Sequence, residues 1–221
     1  MIFFDIDGTL IDHASASAAA SLIFFDKFQD VIPFSRDDYP VAWEKILNKH
    51  FNRWCRGEVS LWEQRRARMR DVFAAPEMSD DEADARYRIF ICEYEALTRP
   101  FEDAEPRLQN LAGERLGIIS NGAREQQIGK LQRAGLLKYF SVMVYSEDVG
   151  LGKPSHGIFR EACRRAGDAS GQCVHIGDDL EADVVPSRAL GMRGIHLSRT
   201  GHSPLGPPVI SSLHDLSPLI H

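Results

Sequence analysis

Near its start the chain runs Met1-Ile2-Phe3-Phe4-Asp5-Ile6-Asp7-Gly8-Thr9-Leu10, and no other stretch restricts its fold as strongly. A short apolar run closed by glycine reads as a buried strand whose carboxyl end opens into a loop. Open parallel α/β sheets hold their ligands at such strand ends. At a two-residue period Asp5 and Asp7 leave on one side and Ile6 on the other. Two crowded carboxylates repel, so the pair needs a neighbouring cation or a proton on one member. A hard divalent ion such as magnesium, which prefers oxygen ligands, meets that need. A simple polar turn, in which Asp7 and Gly8 reverse the chain, is the other reading of these residues.

The next stretch is helical in pattern. Ser15 to Phe28 reads as an amphipathic helix, and Pro33 to Asp38 reads as a loop. Pro40 suits the first turn of a second helix, in which Trp43, Ile46, Leu47, His50, Phe51 and Trp54 share a face before Gly57 ends it. Ser60 with Glu63, and Ser79 with Glu82, are capping-box patterns that open a third and a fourth helix. The third carries Arg65, Arg66, Arg68 and Arg70, and a run of charge on a helix ordinarily faces solvent. Arg56, between Trp54 and Gly57, is the residue of this block expected to touch a substrate.

Beyond Arg99-Pro100 strands and helices alternate. Strands are expected at Arg115–Ser120, Ser141–Tyr145, Cys173–Ile176 and Arg193–Leu197. Helices are expected at Ala123–Ala134, Ser155–Ala166 and Glu181–Leu190, the last with an internal Pro186. The tail from Gly201, with Pro204, Pro207 and Pro208, reads as a loop before a short final strand and helix. Such alternation implies βαβ units and a parallel sheet with helices on both faces. The first strand belongs with that sheet, so the expected architecture is α/β: a Rossmann-like, doubly wound core with an inserted all-helical cap. The core takes residues 1–11 and 99–221 and the cap residues 12–98, placed to overhang the first strand as a lid.

Composition narrows the partners. At 221 residues with a net charge of -6, the chain lacks the basic excess that nucleic-acid polymers or anionic membranes reward. Cys55, Cys92, Cys163 and Cys173 show no CxxC spacing, so neither zinc nor a redox pair is indicated, and scattered thiols suit the cytoplasm. Asp5 and Asp7 interrupt the opening apolar run too early for a secretory signal. No apolar stretch approaches the ~20 residues of a membrane span.

Three later strand ends carry polar chemistry. Ser120-Asn121-Gly122 precedes a helix, whose unpaired N–H groups suit a phosphate, although the tripeptide is also ordinary turn chemistry. Gly150-Leu151-Gly152-Lys153-Pro154 presents a compact cation between glycines without the Walker pattern. In Gly177-Asp178-Asp179-Leu180-Glu181-Ala182-Asp183 the acids serve either as helix caps or as part of a cation site.

Taken in order, Asp-x-Asp-Gly-Thr, Ser-Asn-Gly, Lys-Pro and Gly-Asp-Asp-x-x-x-Asp closely resemble the four motifs of the haloacid dehalogenase superfamily of phosphohydrolases. The resemblance covers nearly the whole chain. It implies that Asp5 is the nucleophile, forming an aspartyl phosphate, and that Asp7 protonates the leaving oxygen and then activates water. It implies further that Thr9 steadies Asp7, that Ser120 with the amide of Asn121 or Gly122 holds the phosphoryl oxygens, and that Lys153 offsets the charge. Magnesium would bind Asp5, the Asp7 carbonyl and Asp178, with Asp179 and Asp183 as secondary ligands. Gln127, Lys130, Leu131, Gly135, Leu136, Ser146 and Glu147 look like the 5'-nucleotidase and N-acylneuraminate-9-phosphatase branch. The implied substrate is a small phosphate monoester, a nucleoside monophosphate or a sugar phosphate. A phosphosugar mutase, a 2-haloacid dehalogenase and a phospho-aspartate signalling module are the alternatives, of which the dehalogenase needs neither Asp7 nor a metal site.

Overall fold

The structure, a computed structural model, describes residues 1–199, 206 and 208–216. The chain divides into two compact units, Met1–Asp12 with Arg99–His221, and His13–Thr98.

Among the described residues of the first unit six parallel strands form one sheet: β1 (Ile2–Phe4), β2 (Leu116–Ser120), β3 (Val142–Tyr145), β4 (Val174–Gly177), β5 (Arg193–Leu197) and β6 (Val209–Ile210). Their order is β3-β2-β1-β4-β5-β6. Phe4 stands level with Ile118 on one side and Ile176 on the other, so β1 is central. Because side chains alternate along a strand, β1 serves two cores. Ile2 and Phe4 pack with Ile118, Leu131, Leu136 and Ile176 on one face, while Phe3 packs with Ile119, Val144, Ile158 and Phe159 on the other. The chain therefore has a Rossmann-like, doubly wound α/β core.

The second unit holds four helices: α1 (His13–Phe28), α2 (Tyr39–Cys55), α3 (Leu61–Val72) and α4 (Asp80–Leu97). Ser60 caps α3 in a complete capping box with Glu63, and the Ser79 hydroxyl accepts from the Glu82 amide at the start of α4. A serine cap of this kind contributes about 1 kcal/mol. Aromatic rings fill the interior. Phe24 meets Trp43, Phe73 and Phe90 with centroids 5.9–6.3 Å apart. No helix among the described residues is long and apolar enough to cross a membrane.

Among the described residues the sheet unit has five further helices: α5 (Ala104–Asn110), α6 (Arg124–Arg133), α7 (Ser146–Val149), α8 (His156–Ala166) and α9 (Val185–Ala189). At seven residues α5 is too short for its sequence to carry a helical periodicity. The helix expected over Glu181–Leu190 is instead a wider π turn, Leu180–Val184, followed by α9. Pro186 is the physical reason: it offers no backbone N–H to continue the earlier turn and sits within the first turn of α9. Of the expected tail loop, Gly201, Pro204 and Pro207 lie outside the described residues.

Candidate functional site

Because β2, β1 and β4 are parallel neighbours, the segments that follow them meet at one edge of the sheet. Asp5 leaves β1 with its amide bonded to the Ile176 carbonyl at 2.9 Å, and its side chain is buried. Gly8, at a φ of 88°, then turns the chain, and Ile6 accepts from the amides of Leu10 and Ile11. The Gly8 Cα lies against the Asp178 carboxylate so closely that a Cβ would collide with it. Glycine is required there twice over, for its positive φ and for the close approach.

Lys153 reaches this edge from the loop before α8. Its Nζ lies 2.6 Å from Asp5 Oδ1 and 2.5 Å from Asp183 Oδ1, and all three side chains are buried. Asn121 fixes the lysine backbone by accepting from its N–H at 2.6 Å and donating to its C=O at 2.8 Å. Asp183 Oδ1 also contacts His175 Nε2 at 2.8 Å, and its other oxygen accepts from the Asp179 amide at 3.2 Å. Asp5, Asp178 and Asp183 each place a carboxylate oxygen within 4.8 Å of the others.

The charges in this cluster are unevenly tolerated. Burial raises the Asp5 pKa well above its ordinary value; Lys153 opposes the rise, and Asp183 and Asp178 reinforce it. Asp178 is pushed up to about 7, chiefly by burial and then by Asp183. At Asp183 burial also pushes upward, but Lys153 and His175 outweigh it and hold the pKa at about 2. Burial disfavours the Lys153 charge, yet Asp183 and Asp5 prevail and keep it protonated. Lys153 is shared by Asp183 and Asp5, so one positive charge answers three neighbouring carboxylates and the cluster keeps an excess of negative charge. A divalent cation relieves that excess, and an all-oxygen donor set fits a hard ion such as magnesium.

The remaining expected residues fall around this cluster. The Thr9 hydroxyl donates to Asp178 Oδ1 at 3.3 Å rather than steadying Asp7. The Asp7 carboxylate instead accepts from Lys130 Nζ at 2.6 and 2.8 Å and from Gln127 Nε2 at 2.8 Å. Gln127 also donates to the buried Ser120 Oγ at 3.0 Å, so one amide joins Ser120 to Asp7. The Gly122 amide donates to Ser146 Oγ at 3.0 Å. Arg56 belongs to the helical unit, is exposed and pairs with Glu58 at 2.6 Å.

Lys130, Gln127 and His175 received no chemical role from the sequence, and Asp183 only a secondary one. A signal existed for the first two. They sit three apart within α6, with Leu131 adjoining, so they share the inward face, and a buried lysine requires a carboxylate.

Such a sheet, with an acid cluster and a lysine gathered at its carboxyl edge, defines an α/β enzyme whose chemistry centres on charge neutralisation. The pattern of the haloacid dehalogenase-like hydrolases matches residues 1–191, and the chain belongs to that family. It is 33% identical over 114 residues to a glyceraldehyde 3-phosphate phosphatase of Methanopyrus kandleri, covering 51% of this chain and 49% of that protein. It is 27% identical over 236 residues to the N-acylneuraminate-9-phosphatase of Rattus norvegicus, covering 99% of this chain and 92% of that one. The chain thus matches about half the length of the first relative and most of the second. The magnesium-bound HAD-hydrolase YfnB of Bacillus subtilis shares the fold, with a TM-score of 0.82 over 99% of this chain and 97% of that one at 21% identity.

Proposed function

We propose that this chain is a magnesium-dependent phosphatase that hydrolyses a small phosphate monoester, a phosphorylated sugar or a nucleoside monophosphate, through an aspartyl phosphate on Asp5. The observation that carries the reading is the Lys153 ammonium bonded to Asp5 and Asp183 together, with Asp178 beside them. Phosphoryl transfer depends mainly on positioning and charge neutralisation, which this cluster is built to supply. The names of the two phosphatase relatives support the same substrate class.

In this reading an Asp5 oxygen attacks phosphorus, the phosphorus–oxygen bond to the leaving group breaks, and the departing oxygen takes a proton from Asp7. Asp7 then takes a proton from the water that attacks the aspartyl phosphate, which releases inorganic phosphate and restores Asp5. Lys153 balances charge on Asp5 and on the transferring group, while Ser120 and the loop at Asn121 and Gly122 hold the phosphoryl oxygens. Asp5, the Asp7 carbonyl and Asp178 would hold magnesium, which supplies positive charge to the phosphoryl oxygens. Asp183 Oδ1 is already engaged by Lys153 and His175, so Asp183 acts by orienting the cluster. Asp7 and the acid cluster favour phosphate over halide, since a departing halide needs no proton.

The test is phosphate release from a panel of sugar phosphates and nucleoside monophosphates, with magnesium and with chelator, in the wild-type chain and in Asp5→Asn. The expected result is magnesium-dependent release that disappears in the variant. Release that survives Asp5→Asn overturns the assigned nucleophile, net interconversion of sugar phosphates identifies a mutase, and halide release from 2-haloacids without phosphatase activity overturns the substrate class.

A further inference from the structure

An imidazole is buried against the acid cluster of the sheet unit. His175 stands between Val174 and Ile176 on β4 and is completely buried. Phe159 meets its ring edge-on, with ring centres 5.2 Å apart. Its Nε2 lies 2.8 Å from Asp183 Oδ1, the same oxygen that takes Lys153 Nζ at 2.5 Å. An ionised carboxylate only accepts, so Nε2 carries the ring proton and donates it to the bond. Nδ1 is buried with no partner among the described residues. A charged ring would place a second N–H there with nothing to accept it, and burial outweighs Asp183 in favouring the neutral form.

Asp183 has little freedom beside this ring. Gly177 shares the His175 face of β4, and a Cβ at Gly177 would stand 2.2 Å from Asp183 Cγ. The carboxylate therefore packs directly on the strand backbone. The Asp179 amide donates to its Oδ2 at 3.2 Å, which leaves His175 to fix Oδ1. Lys153 is the adjustable member. Asn121 clamps its backbone, but its ammonium ends a flexible stem and goes where its acceptors draw it. Asp5 Oδ1 at 2.6 Å and Asp183 Oδ1 at 2.5 Å are those acceptors. Displacing Asp183 Oδ1 therefore displaces the positive charge beside Asp5.

We propose that His175 is a positioning residue for phosphoryl transfer: as a neutral donor it fixes Asp183 Oδ1, and through that oxygen it sets Lys153 Nζ against Asp5. The role rests on the reading of Asp5 as the nucleophile. Neutrality matters because a second cation at this position would compete with Lys153 for the Asp183 charge, whereas an uncharged N–H orients the carboxylate and leaves its charge to the lysine.

The test compares His175→Gln, His175→Asn and His175→Leu with the wild-type chain, each assayed well below its own melting temperature. The glutamine amide nitrogen falls near the place of Nε2, while the shorter asparagine reaches only that of Nδ1, which has no partner. Release of phosphate from p-nitrophenyl phosphate with magnesium is expected to show kcat lowered about 10- to 100-fold in His175→Leu and His175→Asn, with KM little changed. His175→Gln is expected to recover most of kcat. If His175→Leu does not fold, the glutamine and asparagine pair decides. A second readout needs no turnover: long-range ¹H–¹⁵N spectra of the wild type at neutral pH, assigned with His175→Gln, are expected to show His175 neutral with its proton on Nε2. A proton on Nδ1, equal loss in His175→Gln and His175→Asn, full activity in His175→Asn, or a loss confined to KM overturns the proposal. A wild type that releases no phosphate from any monoester overturns the phosphatase reading and this role with it, and the spectrum then shows separately whether the His175 to Asp183 bond is real.

Discussion

Lys130 Nζ lies 2.6 and 2.8 Å from the two carboxylate oxygens of Asp7, a contact between residues 123 apart in sequence. Gln127, three residues earlier on α6, grips the same carboxylate and also Ser120. The turn after β1 is therefore tied to the tip of β2 through one face of one helix. Under the proposed mechanism, Asp7 must leave this grip or exchange protons from within it.

Replacing Lys130 by Met leaves the Asp7 carboxylate partly buried without its cation. We expect kcat to fall on the order of 10-fold or more with KM little changed, because the lost function is positioning of the proton-transfer group. Lys130→Arg should recover part of the loss. Steady-state phosphate release checks both, and a fall in Lys130→Met confined to KM would contradict the positioning role.

Asp183→Asn removes the negative charge that Lys153 and His175 share. Deleting one partner of a buried ion pair costs about 3–5 kcal/mol, which urea denaturation measures directly. Magnesium affinity should also weaken by about 10- to 100-fold, as for residues that orient metal ligands. Isothermal titration reads that loss, and unchanged affinity would detach Asp183 from the metal.

Gly8→Ala has two separable effects. The positive φ costs about 1–2 kcal/mol for a residue with a Cβ, and the added methyl drives into the Asp178 carboxylate. A lower melting temperature, together with magnesium dependence shifted to higher concentration, is the expected result. A variant that melts lower but binds magnesium normally would show that Asp178 has room to move away.

Asp103 accepts from Arg199 at 3.1 and 3.2 Å, from the Ser212 hydroxyl at 2.8 Å and from the Leu213 amide at 2.9 Å. Burial raises its pKa, but these donors outweigh burial and hold it below the ordinary value. Its stabilisation is therefore present above the unfolded carboxylate pKa of about 3.9 and is lost as pH falls through the lower folded value. Asp103→Asn should lower stability by about 1–3 kcal/mol near neutrality. The gap to wild type should begin to narrow below about pH 4 and close only once pH has passed below the lower folded value, where the folded wild-type carboxylate takes up its proton. Urea midpoints between these limits provide the measurement, and a gap independent of pH would contradict an ionised Asp103.

Much of the scaffold was legible in advance, because its causes are local. The apolar run before Asp5, the serine caps at Ser60 and Ser79, and the glycines after α2 and α6 act over a few residues, and each lies beside the element it was expected to bound. Pro186 was visible too, but what it does to the preceding turn, and so where Asp183 points, depends on how that segment packs against β4 and β5.

The sequence by itself determined that carboxylates, a lysine and a serine stand at strand ends, since strand period and turn chemistry are set by neighbours along the chain. The tertiary structure alone decided which charge answers which. Lys153 is shared by Asp5 and Asp183, from which it is 148 and 30 residues away, and Asp7 is given to Lys130. Coulombic attraction and desolvation depend on distance and burial in space, and strand order and helix placement establish both.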